Sequence, residues 1–361
     1  MESTNNFLNW VEIKNFKSIK DLRLDCKRVN VFIGKPNVGK SNILEGLGLL
    51  GANYSDGKFI EGAARYRELK HLYRDSDINQ TIQIESDRLV CFLRSYTPNP
   101  QFETTFQFWL TTSSAYKSIL ERGKHYYDLN NNKNTYSLSI QKNGVFQVNK
   151  LPNSVNSHNV KKYDFTNLTE FNNLFQNFLL PPHGSNLYEV IKRREDIADE
   201  FVNLFKFQNL DFVLDEDDQT FVIQRKQGSV VYQNGFFTIA DTFRRFMFYI
   251  TAIESNKNSV IIFEEPEVHS FPPYTLELAY RIVNDDSNQY FISTHSPYLL
   301  HTLIENLKDD QLNVFITYYE NYETKVKAMT PDELRDVLDF STDIFFNLDK
   351  FLPNAGRLVS A

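Results

Sequence analysis

The sequence predicts an α/β fold with a mixed central sheet, an antiparallel β lobe and a helical subdomain. Three observations carry this. A strand, a glycine loop and a helix follow one another over residues 28–50. Residues from about 80 to 165 are strand-like and divided by turn clusters, and strands alternate with helices through the C-terminal third. Such alternation gives parallel strands with helices on the sheet faces, whereas consecutive strands give antiparallel pairing.

Taken in order, Trp10-Val11-Glu12-Ile13-Lys14-Asn15-Phe16-Lys17-Ser18-Ile19 alternates apolar and polar residues, and Leu22-Arg23-Leu24 continues the strand pattern. The apolar run Arg28-Val29-Asn30-Val31-Phe32-Ile33 ends at Gly34-Lys35-Pro36-Asn37-Val38-Gly39-Lys40-Ser41, and Asn42 to Leu50 has helical character. The octapeptide fits G-x-x-x-x-G-K-[ST] in the strand–loop–helix context that the motif requires. Its glycines allow a tight turn that aims backbone N–H groups at an anion, and the helix N-terminus adds its dipole. Lys40 is placed for the β- and γ-phosphates of a nucleotide, and the Ser41 hydroxyl for Mg²⁺.

Strands follow at Thr81–Glu85, Leu89–Leu93 and Thr104–Leu110, with a helix near Ala115 to Arg122 and a loop tip at Asn130–Asn134. Helical spacing covers Phe171 to Phe178 and Leu187 to Phe205, then short strands occupy Leu210–Leu214, Thr220–Arg225 and Val230–Gln233. An apolar helix runs from about Ala240 to Ile253. The last third reads strand Val260–Phe263, helix from Pro273, strand Tyr290–Ser293, helix from Pro297, strand Leu312–Tyr318. Thr330-Pro331-Asp332-Glu333 has the hydroxyl, proline and acid of a capped helix start, and Pro353-Asn354-Ala355-Gly356 reads as a fraying tail. No heptad seam or internal repeat is present.

Composition bounds the function. Hydrophobic residues at 41% and charged residues at 24% are ordinary for a globular chain of 361 residues. A net charge of −7 argues against a chain that coats nucleic acid unaided. The basic groups Lys161-Lys162 and Lys192-Arg193-Arg194 read as solvated helix faces; contact with DNA, through a dimer face or a partner, stays open for these and for Arg244-Arg245. No run of eighteen apolar residues predicts a membrane span, and Met1–Asn6 lacks the pattern of a signal peptide. Cys26 and Cys91 match no metal spacing and read as reduced, buried thiols, which gives a cytoplasmic location.

Ser259-Val260-Ile261-Ile262-Phe263-Glu264-Glu265-Pro266-Glu267 is a buried strand ending in acids, at the sheet edge where open α/β sheets bind ligands. Glu264 is expected to hold Mg²⁺ through its water shell, and Glu265 to orient and deprotonate an attacking water. Gln289-Tyr290-Phe291-Ile292-Ser293-Thr294-His295-Ser296-Pro297 is a second such strand, with His295 placed to contact a γ-phosphate or polarise that water.

These segments, with Ile13–Ile19, Asn42, Val268 and His269, resemble the ATP-binding-cassette-type ATPases of the SMC/RecF/OLD group, including small AAA family ATPases of bacterial defence and DNA-maintenance loci. The resemblance spans about residues 10 to 320 and implies one ABC-type ATPase head over residues 1–361 that uses ATP and Mg²⁺. Its parts are residues 1–50 with the phosphate loop, 51–165 as a β-rich lobe or insertion, 166–256 as the helical signature region, 257–329 as the acid and histidine core, and 330–361 as C-terminal helix and tail. It adds Asn42 to the nucleotide-binding residues Gly34–Ser41. It also implies two heads that sandwich two ATP molecules, each offering the other a Ser-x-Gly signature at a helix start. Here that segment is Ala240-Asp241-Thr242, with alanine in place of serine and threonine in place of glycine. Asp241 is expected to repel a γ-phosphate unless it caps the helix, while Thr238 or Thr242 is a candidate for the missing hydroxyl. Glu264 stands where the family has Asp, so slow turnover is expected. No strand ending in Asp-x-Asp follows His295, so a nuclease domain in this chain is not expected, nor are coiled-coil arms.

The reading is a cytoplasmic ATP hydrolase acting as a nucleotide-driven dimerising clamp or sensor, a homodimer or higher homo-oligomer, without membrane attachment. The resemblance implies bacterial anti-phage defence with a separately encoded effector, a nuclease or toxin. The alternatives are a RecF-like DNA repair ATPase, with DNA as partner, and a non-hydrolysing ATP-dependent scaffold. A GTPase lacks support, since no Asn-Lys-x-Asp segment is present.

Overall fold

In the computed structural model, which describes residues 5–55, 57–97, 103–151, 159–174, 176–206, 209–339 and 344–352, the opening alternation becomes a hairpin. Strand β1 (Trp10–Phe16) pairs antiparallel with β2 (Ile19–Asp25), Val11 opposite Leu24 and Ile13 opposite Leu22, and all four side chains are buried. The apolar β3 (Val29–Ile33) is buried along its length and leads through the glycine loop into α1 (Lys40–Gly48). Strands β4 (Ile82–Ser86), β5 (Leu89–Tyr96) and β6 (Thr105–Thr112), helix α2 (Ser113–Glu121), and strands β7 (Tyr136–Ile140) and β8 (Phe146–Lys150) follow. The hairpin and these strands form a seven-stranded antiparallel sheet in the order β2-β1-β4-β5-β6-β7-β8.

Strand β9 (Val160–Tyr163) leaves that sheet and joins the other. Helices α3 (Leu187–Arg193) and α4 (Glu195–Lys206) precede a three-stranded sheet of β10 (Asp211–Asp215), β11 (Thr220–Gln227) and β12 (Val230–Gly235). Then come α5 (Asp241–Ser255), β13 (Val260–Glu264), α6 (Pro272–Asn284), β14 (Gln289–Ser293), α7 (Pro297–Asn306), β15 (Leu312–Glu320), β16 (Glu323–Ala328), α8 (Pro331–Asp339) and α9 (Ile344–Asn347). The central six-stranded sheet has the order β16-β15-β3-β14-β13-β9, parallel except for β16. This is the mixed sheet the sequence predicts, beside an antiparallel lobe and a helical region.

The central strands are mostly apolar because both of their faces are covered. Val29, Val31, Ile33, Ile261, Phe263 and Ile292 pack with the helical side, while Phe32, Val260, Ile262 and Phe291 pack with α1 and the antiparallel lobe. Thr330 and Glu333 exchange backbone-to-side-chain hydrogen bonds at 2.9 and 3.2 Å, the expected capping box. Cys26 and Cys91 are free, and burial pushes both thiols up in pKa. Among the described residues no helix is long and apolar enough to cross a membrane.

Three expectations need correction. The described residues from Phe171 to Phe178 form no helix. There the Asn172 backbone N–H donates to the Ser185 carbonyl at 2.7 Å and its side-chain oxygen accepts from Leu174 N at 3.3 Å, bonds that compete with a helical ladder. The Leu187–Phe205 helix is two helices broken at Arg194 (φ −113°, ψ 85°). Lys161 and Lys162 are not a solvated helix face: both are buried on β9, pointing to opposite faces of the sheet. The tail from Pro353 lies outside the described residues.

Candidate functional site

The parallel register sets Glu264, at the end of β13, level with Ser293 at the end of β14, and Ser293 level with Phe32 of β3. The glycine loop, the acids and His295 therefore emerge at one sheet edge. Asn37 and Gly39 turn the loop with φ of 62° and 102°. A Cβ on Gly39 would overlap the Thr324 hydroxyl of β16. That hydroxyl bonds the Val38 carbonyl at 3.0 Å and Ser18 Oγ at 2.6 Å, and Asn42 Nδ2 also donates to Ser18 Oγ at 2.6 Å. The loop is thus clamped between the β15–β16 hairpin and the β1–β2 turn. Asn42 acts in that clamp through Ser18. Helix α1 has no side-chain cap at Gly39, leaving its first N–H groups to an anion.

Lys40 is buried and donates to the Gly34 and Lys35 carbonyls at 2.9 and 3.0 Å, folded over the loop it serves. Burial lowers its pKa, against the opposing pull of Glu265 and Glu264. Lys35 faces outward and pairs with Asp349 at 2.8 Å; Pro36 and Asn37 are exposed at the loop tip. The cavity over the loop, about 440 Å³, also meets Arg65, Glu265, His295 and Tyr319.

Glu264 takes three partners: the Ser41 hydroxyl, Lys162 Nζ at 3.3 Å and Arg65 Nη2 at 3.2 Å. Burial pushes its pKa up, but Lys162, the Ser41 hydrogen bond and Arg65 together hold it below the usual carboxylate range. An ionised carboxylate hydrogen-bonded to a serine hydroxyl is an oxygen donor pair suited to Mg²⁺. Among the described residues no cluster of three His, Cys, Asp or Glu could hold a metal by itself.

Glu265 holds a left-handed backbone (φ 45°), fixed by its N–H donating to the Ser293 carbonyl at 3.0 Å. The turn aims its carboxylate at His295, whose Nε2 lies 3.4 Å away. The two side chains are 36% and 40% exposed, so this pair faces an open cleft. Burial and the Lys40 ammonium lower the His295 pKa, Glu265 opposing. In the nucleotide-free chain, the His295 imidazole signal in NMR is therefore expected to titrate below its ordinary 6.5. In Lys40→Met the midpoint should move up.

Several residues of the site escape sequence reasoning. Glu45, 1% exposed, is ion-paired to both Lys17 and Arg65, the latter at 2.8 Å, and ties the β1–β2 turn to the arginine on Glu264. Glu267 accepts from Thr294 Oγ1 at 2.6 Å and His295 N at 2.8 Å, so it positions the histidine loop. Lys17 and Glu267 lie inside motif segments, and Glu45 lies one helical turn beyond Ser41, so those signals existed. Arg65 and Lys162 carried none.

Ala240, Asp241 and Thr242 begin α5 and do not line the cavity over the phosphate loop of their own chain. Asp241 does not repel as an isolated charge and does not cap the helix; it pairs with Arg245 at 2.7 Å and Arg244 at 3.6 Å. The Thr238 and Thr242 hydroxyls donate to the Gly235 and His269 carbonyls, both at 2.7 Å.

The fold resembles solved SMC head domains, at low identity. A SmcHead bound to the C-winged helix domain of ScpA is 12% identical with TM-score 0.46, over 91% of this chain and 99% of that one. The SMC head domain from Thermotoga maritima is 9% identical with TM-score 0.39, covering 90% and 99%. The Smc head with an extended coiled coil, bound to the C-terminal domain of ScpA derived from Pyrococcus furiosus, is 10% identical with TM-score 0.43, covering 93% and 99%. No curated protein matches the sequence. The AAA ATPase domain family does match, over residues 7–209, a span that includes the whole phosphate loop and α1. With more than half of its length matched, the chain belongs to the AAA ATPase domain family.

Proposed function

We propose that the chain hydrolyses ATP at a site completed by a second copy of itself. The observation that carries this reading is the Ser41–Glu264 and Glu265–His295 arrangement at one sheet edge, facing an open cleft. The phosphate-binding residues are Gly34 to Ser41, with Lys40 turning from the Gly34 and Lys35 carbonyls to the β- and γ-phosphates. Mg²⁺ at Ser41 and Glu264 would neutralise charge on the phosphoryl oxygens. Glu265 takes the proton of the attacking water as its oxygen bonds the γ-phosphorus, and the bond to the bridging oxygen breaks to release ADP and phosphate. His295, neutral at pH 7, orients that water or the γ-phosphate.

A catalytic pair more than one-third exposed needs a second surface to exclude bulk water. Val268, Phe271 and Tyr298, beside Glu265 and His295 in the chain, are exposed apolar side chains suited to such a surface. The partner copy would bring Ala240–Thr242, and its Asp241 would arrive neutralised by Arg244 and Arg245. Missing serine and glycine make turnover slow. The role is a cytoplasmic, nucleotide-driven clamp that controls a separately encoded effector, a nuclease or toxin, in anti-phage defence.

Phosphate release should require Mg²⁺, stop with a chelator and vanish in Lys40→Ala. Wild-type protein that binds ATP but releases no phosphate over hours would instead establish the non-hydrolysing scaffold.

A further inference from the structure

The two lysines of β9 play different parts. Lys162 joins the nucleotide site, whereas Lys161 points to the other face and meets Arg193, Arg194 and Lys257 around a cavity of about 520 Å³. The cavity lies beside Asn159 and Lys257, which precede β9 and β13, so it opens at the sheet edge opposite the phosphate loop. Four to five residues of strand put the two sites on the order of 15 Å apart.

Its chemistry is one-sided. Among the described residues no carboxylate side chain lines it, in a chain whose net charge is −7. Lys161 is 3% exposed; its ammonium donates to Asn256 Oδ1 and to Ser259 Oγ at 3.2 Å, and lies 3.5 Å from the centre of the Phe178 ring. Neutral hydrogen bonds and an aromatic face are its partners, and burial, with no charged group opposing it, lowers its pKa to about 7. Arg193 and Arg194 have acidic partners outside the cavity, Glu189 at 3.2 Å and Asp196 at 2.6 Å, and Lys257 is exposed at the mouth. A buried ammonium without a counter-ion is costly, and an anion entering the cavity offsets that cost.

We propose that this cavity is a second ligand site, which takes a phosphorylated small molecule with its phosphate at Lys161, Arg193 and Lys257 and its organic part against Phe178 and Val190. The volume suits one small ligand, and the polar and basic lining leaves Phe178 and Val190 as the apolar surface for its organic part. The proposal stands apart from ATP hydrolysis, since no residue of the phosphate-loop cavity takes part.

The test is calorimetric titration of the full chain with inorganic phosphate and with AMP, the phosphate loop first saturated with Mg²⁺ and a non-hydrolysable ATP analogue. Saturable uptake of both probes is expected, AMP the tighter. The affinity should fall at least tenfold in Lys161→Met and in Lys257→Glu. Lys161→Met should also melt at or above the wild-type temperature, because it removes a buried cation. If Lys161→Met fails to fold, the exposed Lys257→Glu decides. Absence of saturable uptake in the wild type, or uptake unchanged in the variants that fold, would overturn the proposal. So would Lys161-dependent binding of a 20-base-pair DNA duplex without binding of either probe.

Discussion

Glu265→Gln is expected to lower steady-state phosphate release at least ~100-fold while ATP affinity changes little. The amide has the same length and can still hydrogen-bond water, but it cannot take the proton. The backbone that aims it is set by the Glu265 N–H bond to the Ser293 carbonyl, which the substitution leaves in place. His295, 3.4 Å away, stays where Glu267 holds its loop. Phosphate release within tenfold of wild type would remove Glu265 from the role of base and point to His295 or to the substrate itself.

Gly39→Ala should be strongly damaging to both folding and nucleotide binding. At φ 102° a Cβ is strained, and it would also overlap the Thr324 hydroxyl that clamps the loop to Val38 and Ser18. The expected cost is about 3 kcal/mol or more of folding stability, together with loss of ATP binding. Gly123→Ala provides the comparison: its φ is 68°, but nothing lies within 4 Å of the added carbon. It should cost about 1 kcal/mol and leave ATP binding intact. Equal melting temperatures for the two variants would refute the clamp.

The phosphate loop was legible in the sequence because its chemistry is local: eight consecutive residues carry the glycines, the lysine and the hydroxyl. Glu264, Glu265 and His295 were legible because an apolar strand ending in polar residues marks a sheet edge. What surrounds Glu264 was not. Lys162 reaches it because β9 pairs with β13 across about a hundred residues of chain, and no local pattern announces that pairing. Four residues are too few for alternation to declare a strand, so Lys161-Lys162 looked like a solvated helix face. Between Phe171 and Phe178 the apolar spacing suggested a helix, but Asn172 spends its hydrogen bonds elsewhere. Asp241 read as a lone charge because the i+3 and i+4 arginines matter only once the helix has formed.

If one chain holds half of the ATP site, ATP should join two chains. Light scattering of Glu265→Gln eluting from a sizing column, in ATP and Mg²⁺, reads this as mass. A mass of two chains, or a higher even multiple, is expected, falling to one chain in ADP. A single-chain mass at saturating ATP would mean that one chain closes the ATP site alone.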